Sequence, residues 1–319
     1  MEKIVILLSA VMMFTACSED DKAEQLQMED PTTEVANKRG CATDEVFQAQ
    51  LAADPALAAR MEMIEQQAQE FDLSEARLVN GEIVIPVVVN VLYKTNAENI
   101  SVAQIQSQID VLNKDFNAAN SDFANVPSVF AGVKANVGIR FELDQVRRKY
   151  VNKTSWGTAD QMKKSAGLTP LEPTKKLNLW VCTIGGGILG YAQFPGGSSA
   201  TDGVVIDSKY LGTTGTATYP FNLGRTATHE VGHWMNLRHI WGDTNCGTDY
   251  VADTPTHNTA NYGVPTFPHY STCSGTPIEM TMNYMDYSDD RGLYMFTNGQ
   301  KARMLSLFSP GGARYSFAQ

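Results

Sequence analysis

Apolar residues recur at helical spacing along residues 46–71, where Phe47, Leu51, Leu57, Met61 and Ile64 stand among Ala, Gln and Glu. That composition predicts a helix, interrupted at Asp54-Pro55. The pattern then switches. Residues 83–93 are strongly β-branched and read as a strand. Residues 101–116 return to helical spacing through Ile105, Ile109, Val111, Leu112 and Phe116, with Ser101 as N-cap. Further strands are expected at 138–143, 177–184 and 203–206. The run 188–194 carries glycine and ends at Pro195, which suits an edge strand. Beyond Ile240 the texture is loops rich in Thr, Asn, Pro and Gly, closed by a helix near 298–307 in which Met304, Leu305 and Leu307 are candidates for burial. Strand–helix–strand order followed by one more helix predicts an α/β fold: a mixed sheet packed on that helix, with a loop-rich C-terminal part.

That helix lies in residues 226–239, T-A-T-H-E-V-G-H-W-M-N-L-R-H. His229 and His233 are four apart and leave one helical face a turn apart. His239 follows just past a helix end expected at Asn236. Three neutral imidazoles with one open position make the catalytic zinc arrangement, and Glu230 supplies a carboxylate base beside it. The bland alternative is a helix whose histidines pack or face solvent. Three of the chain's five histidines fall in this one pattern, which argues against it. In the long form of the motif a glycine turns the chain back towards the metal. Here Asn236 stands in that place, and Asn is the usual substitute for Gly in a left-handed turn.

With 319 residues, 43% hydrophobic and 19% charged, the chain is globular and long enough for a sizeable core. A net charge of −10 excludes a nucleic-acid partner, which demands clustered Lys and Arg. Residues 1–17, with Lys3 ahead of the apolar run 4–14, read as a secretory signal peptide. Ala16 before Cys17 resembles a lipobox, making Cys17 a lipidation site; the acidic residues 18–22 resemble the export tag of Bacteroidetes-type lipoproteins. Contact with a membrane is expected only through that anchor, and release into the medium is the alternative. Removing Cys17 leaves four cysteines, which can pair in three ways. A cross-link between Cys246 and Cys273 would compensate for a thin core in the loop-rich part. Cys182, in an apolar strand, reads as a buried free thiol.

Residues 224–234, 237–243 and 282–287 carry a closer likeness. On them the chain resembles the pappalysin family of metzincin zinc metalloproteases, over about residues 40–304. The resemblance implies a metzincin-like zincin with a mostly parallel twisted sheet on the active-site helix. It implies residues 18–76 as tether and pro-segment, and residues 77–319 as catalytic domain, divided at 236/237. Met285 matches the apolar floor beneath the zinc, and Tyr287 a phenol that hydrogen-bonds the oxyanion; core packing is the alternative for both. Cys41 lies in what resembles the pro-region, where its thiolate is placed to take zinc's fourth position as a cysteine switch. A disulfide partner or an idle thiol are its alternatives. Calcium is implied near Asp253. A second disulfide of the family is expected to be lost, since Val264 and Gly292 stand where its cysteines would be. The relatives' preference for Arg after the scissile bond makes Ala76-Arg77 the expected activation cut.

The expected function is a secreted or surface-anchored zinc endopeptidase acting on proteins or peptides and made as a zymogen. Two alternatives stand beside it: a non-catalytic ligand-binding lipoprotein on the same scaffold, and a zinc hydrolase of a non-peptide amide. Against the former, His229, Glu230, His233 and His239 are all intact. Oligomeric state has no signature in the sequence.

Overall fold

Strand β1 (Ile83–Tyr93) is β-branched for most of its length and is buried on both faces through its second half. In a computed structural model that describes residues 36–73 and 82–317, it sits inside a five-stranded sheet. Cys17, the signal segment and the Ala76-Arg77 cut lie outside the described residues.

The sheet order is β2-β1-β3-β5-β4, where β2 is Ile139–Tyr150, β3 is Leu177–Cys182, β4 is Gly190–Ala192 and β5 is Val204–Asp207. Pairings β1–β2, β1–β3 and β3–β5 are parallel, and only β4 runs antiparallel to its neighbour. The mixed, mostly parallel sheet is therefore as expected. Pro86 is tolerated inside a central strand because β3 pairs with β1 only from Val87 onward, so no ladder donor is needed on that side at Pro86.

Three strand extents differ from the sequence reading, and β3 does so only by ending at Cys182, two residues early. β2 runs seven residues past Leu143, because as an edge strand it carries Arg147, Arg148 and Lys149, which mask its β character and guard its edge. β4 is only three residues long, bounded by the glycine-rich turn before it and Pro195 after it.

The N-terminal helical pattern is two helices, α1 (Thr43–Ala53) and α2 (Ala56–Glu70), broken at Asp54-Pro55 as expected. Helix α3 (Val102–Asp115) starts on a Ser101 side-chain cap. Helix α4 (Arg225–Trp234) has all ten residues buried, against α3, β4 and β5. Helix α5 (Asn298–Ser306) begins with a Thr297/Gln300 capping box. Among the described residues no helix is long and apolar enough to cross a membrane.

The loop-rich part is held by the Cys246–Cys273 disulfide, the expected pairing, while Cys182 is a buried free thiol. Val264 and Gly292 lie side by side: a Cβ on Gly292 would meet the Val264 methyls at 3.4 and 3.7 Å. A valine fills the space where the lost cross-link was expected.

Candidate metal centre and cleft

Helix α4 begins at Gly224, whose left-handed φ of 79° lets the chain turn onto the helix. The first residue, Arg225, is buried and ion-paired to Asp115 at 3.1 Å and Asp122 at 3.2 Å, so α3 fixes the start of α4. At the other end Asn236 has φ 70°, the left-handed turn that its place in the motif predicted. The helix itself ends at Trp234, two residues short of the expected end. The Asn236 carbonyl accepts from Arg303 Nε at 2.6 Å, and the chain then doubles back to bring His239 under the helix.

The three histidines converge. Nε2 of His233 lies 3.1 Å from Nε2 of both His229 and His239. Each Nδ1 faces an acceptor: His229 donates to the Tyr284 carbonyl and His233 to the Leu237 carbonyl, both at 2.7 Å, and His239 meets the Asp243 carboxylate. Those acceptors hold the Nδ1 protons, which leaves three Nε2 lone pairs aimed at one point. Burial pushes His229 and His233 well below the usual histidine range, so they are neutral. A tetrahedron with zinc–nitrogen arms of about 2.0–2.1 Å has edges of about 3.3 Å. The donor set fits zinc.

Cys41 is the fourth member of the cluster, its Sγ and the three imidazoles offering ligand atoms all within 4.8 Å of one another. Its thiol donates to Glu230 Oε2 at 3.4 Å. The Glu230 carboxyl is buried in the cleft and that burial raises it to about 7, against the hydrogen bonds from Cys41 and Thr43 and the charge of Arg39. Thr43 Oγ1 donates to Glu230 Oε2 at 3.0 Å and accepts from the Ala192 N–H of β4 at 2.9 Å. Gly190 has to be glycine here, because a Cβ would stand 3.0 Å from the Glu230 side chain and 2.9 Å from the Val205 carbonyl.

Met285 lies under the helix at Gly232, where a Cβ would reach its sulfur at 2.5 Å. Met285 is thus packed beneath the metal-binding helix, and the glycine within H-E-V-G-H makes room for it. Tyr287 stands over the centre with its ring 4.9 Å from His239 and 5.7 Å from His229, and its hydroxyl donates to the Cys41 carbonyl at 3.2 Å. Burial and the neighbouring Cys41 and Glu230 push the phenol above its ordinary range, which keeps it a donor.

Sequence reasoning missed several residues of this cleft. Arg39 is buried, with Nη2 2.7 Å from Asp290 Oδ1, Nε donating to the Ser288 carbonyl and Nη1 to Thr226 Oγ1, both at 3.2 Å. Phe221 lies against the guanidinium at 5.0 Å. Trp241 stacks on His239, with ring centres 4.4 Å apart and planes 7° from parallel. Asp243, four residues after His239, was legible by that spacing; the Arg39–Asp290 pair, 251 positions apart, left no local signal. The two Asp253 oxygens accept from Thr297 Oγ1 and the Gly299 N–H, so this carboxylate caps α5.

The model of peptidase family M43, described as pregnancy-associated plasma protein-A, matches residues 169–309. An extracellular metalloprotease of Colletotrichum graminicola is 34% identical over 267 residues, 78% of this chain and 87% of the relative. One of Pyricularia oryzae is 36% identical over 222 residues, covering 67% and 70% of the two chains. Among solved structures, mature mirolysin of Tannerella forsythia with a cleaved peptide superposes with TM-score 0.72 at 44% identity, over 74% of this chain and 96% of that one. A Tannerella forsythia promirolysin mutant reaches TM-score 0.80 at 40% identity, over 88% and 97%. The chain belongs to the pappalysin family. It is a zinc metalloendopeptidase made as a zymogen, on a metzincin fold. The precursor relative matches more of the chain than the mature one does, and the described residues include the segment 36–73 laid across the cleft.

Proposed function

We propose that this pappalysin-family chain cleaves peptide bonds with Glu230 as general base, His229, His233 and His239 as zinc ligands, and Tyr287 as oxyanion donor. The convergence of three Nε2 atoms beside a buried carboxylate carries the reading. When bound, zinc supplies Lewis acidity that acidifies a water and polarises the carbonyl. Glu230 takes the proton of the attacking water and hands it to the leaving amine nitrogen. Tyr287 donates to the oxygen that gains charge. The short edge β4 offers its Ala192 N–H, now taken by Thr43, to an extended substrate.

Residues 18–76 are read as tether and pro-segment and 77–319 as the catalytic domain, with Cys41 closing the metal's fourth position in the precursor. The pocket that holds Arg39 against Asp290 supports a preference for Arg after the scissile bond: a planar guanidinium there finds a carboxylate, a carbonyl, a hydroxyl and an aromatic face. Export by the signal segment agrees with relatives named as extracellular; lipid anchoring at Cys17 rests on the lipobox-like residues alone. For calcium, Asp253 is engaged by α5, and the oxygens suited to a hard cation are those of Asp249, Val251 and Thr254, which meet at 2.8–2.9 Å.

The test uses the full chain with zinc, left to mature, on peptides containing Arg, beside Glu230→Gln. Cuts before Arg by the native chain and none by a variant holding equal zinc are expected. Equal turnover by both would remove Glu230 from the mechanism. A substrate panel with amide bonds outside peptides separates the non-peptide hydrolase reading.

A further inference from the structure

Helices α1 and α2 are joined to the rest of the chain near residues 74–81, the stretch in which the activation cut is expected. Severing one peptide bond there leaves in place the contacts that the described residues of both helices make. We propose that the segment ending near residue 73 stays bound to the catalytic part after that cut and remains its inhibitor, so that activation needs a second event that destroys or displaces the segment. The proposal rests on the peptidase reading above and adds a step to it.

The segment has no core of its own. α1 has 11 residues and α2 has 15, lengths at which an isolated helix is marginal in water. Their buried apolar residues, Val46 and Phe47 on α1 and Leu57, Met61 and Ile64 on α2, are buried against the remainder of the molecule as well as each other. Phe47 packs edge-on to Phe194, just after β4, at 5.1 Å. Ile64 and Leu57 close over Gly196, where a Cβ would come within 3.1 Å of Ile64. The catalytic part is therefore the surface on which these helices fold, and unseating them exposes that apolar area together with the face they cover.

Polar anchors lie at both ends. Glu65 on α2 forms a two-pronged ion pair with Arg303 of α5, one contact being 2.7 Å, with Arg303 nearly buried. The other end is tied by Arg39, which is itself buried on Asp290. Anchors at both ends and an apolar middle make the segment multivalent towards one surface, so no single contact releases it.

The arginines of the segment also bear on its survival. If cleavage occurs before Arg, its described targets are Arg39 and Arg60. Arg39 is buried in the cleft, and Arg60 lies within α2, donating to the Gly196 carbonyl at 2.7 Å. A helical, anchored bond has to open before a protease takes it, so the second cut is slow relative to the first.

The experiment replaces residues 74–80 of the full, zinc-loaded chain with the recognition sequence of a site-specific protease. In a Glu230→Gln background, which prevents self-digestion, the cut fragment is expected to co-elute with the remainder on gel filtration and to separate only in denaturant. In the unaltered background, peptidase activity is expected to lag behind the cut and to rise as the fragment is degraded. A fragment that elutes alone, or activity that rises in step with the cut, overturns the proposal. Phe47→Ala with Glu65→Ala is expected to release the fragment at least about tenfold faster. Unchanged release would show that these contacts do not retain it, and would overturn the argument. The elution experiment needs no catalysis, so a chain that never cleaves peptide after losing the fragment counts against the peptidase reading alone.

Discussion

Thr43 Oγ1 donates a 3.0 Å hydrogen bond to the Glu230 carboxyl while accepting one from Ala192 of β4 at 2.9 Å. One hydroxyl thus engages the Glu230 carboxyl, the proposed general base, and a backbone donor of the edge strand together. Cys41 lies two residues before it, within reach of the three imidazoles. On the reading proposed above, latency in the precursor would rest on these two neighbouring groups, which meet different parts of the cleft.

The first prediction concerns that hydroxyl. Thr43→Val keeps shape and burial but cannot engage Glu230. A hydrogen bond to a charged group contributes about 1.5–3 kcal/mol, so the closed state should weaken by about 10- to 100-fold in population. Activation of Thr43→Val, followed as the lag before peptide cleavage, is expected to be shorter than that of the native chain. Cys41→Ser should shorten it too. If Thr43→Val activates at the native rate, the hydroxyl holds nothing closed.

Asp243 orients His239 through Nδ1, leaving Nε2 to face the other two rings. Loss of such a partner typically weakens a metal site by about 10- to 100-fold. Asp243→Ala is expected to bind zinc more weakly by that margin in a chelator competition, with activity restored at saturating zinc. A variant with native affinity would show that stacking on Trp241 alone holds the ring.

Asp290 receives Arg39 on Oδ1, while Oδ2 accepts from the Leu223 and Arg225 N–H groups. Asp290→Asn keeps a side chain able to meet the loop but removes the charge opposite a guanidinium. Truncating one partner of a buried charge pair costs about 2–5 kcal/mol, and the amide should lose the lower part of that range. The expected result is a fall of about 30-fold or more in kcat/KM for peptides with Arg after the scissile bond, with little change for peptides carrying Leu there. An equal fall for both would assign Asp290 a purely structural role.

Much of this site was legible because its chemistry is local in sequence. His229, Glu230 and His233 fall within one helical turn and a half, and Asn236 marks the turn that returns His239. The β-branched run of β1 and the break at Asp54-Pro55 were equally local. What could not be read were relations between distant segments. Gly190 and Gly232 look like ordinary glycines until Glu230 and Met285 are found pressed against them. Arg39 looks like a solvated cation until Asp290 is found beneath it. The full reach of β2 was hidden because an edge strand carries charge where a central strand carries valine.

The Cys246–Cys273 bond closes a loop with a sequence separation of 27 in a region with little regular structure. Chain-entropy reasoning for a loop of that size gives about 3–4 kcal/mol. The double variant Cys246→Ser, Cys273→Ser is expected to unfold at lower urea by that amount, and reductant should move the native chain alone. Indifference of the native chain to reductant would show that packing around the buried Cys273 suffices.

A pH prediction comes from Asp207 at the end of β5. Burial raises its carboxyl from 3.8 to about 6, although the Ile184 and Lys209 N–H groups donate to it at 2.7 and 2.9 Å. A raised acid binds its proton more tightly in the folded state, so its contribution to stability is greatest below pH ~4 and falls as pH rises towards about 6. The shift corresponds to at most about 3 kcal/mol, using ~1.36 kcal/mol per pKa unit. Asp207→Asn removes that titration while keeping an oxygen for one of the two donors. The difference in unfolding free energy between variant and native chain should therefore move in the variant's favour between pH 4 and pH 6.5, and level off above. Urea titrations at half-unit intervals measure it. A difference that stays flat across this window would mean that Asp207 ionises alike in the folded and unfolded chain, and that its two backbone donors fully offset its burial.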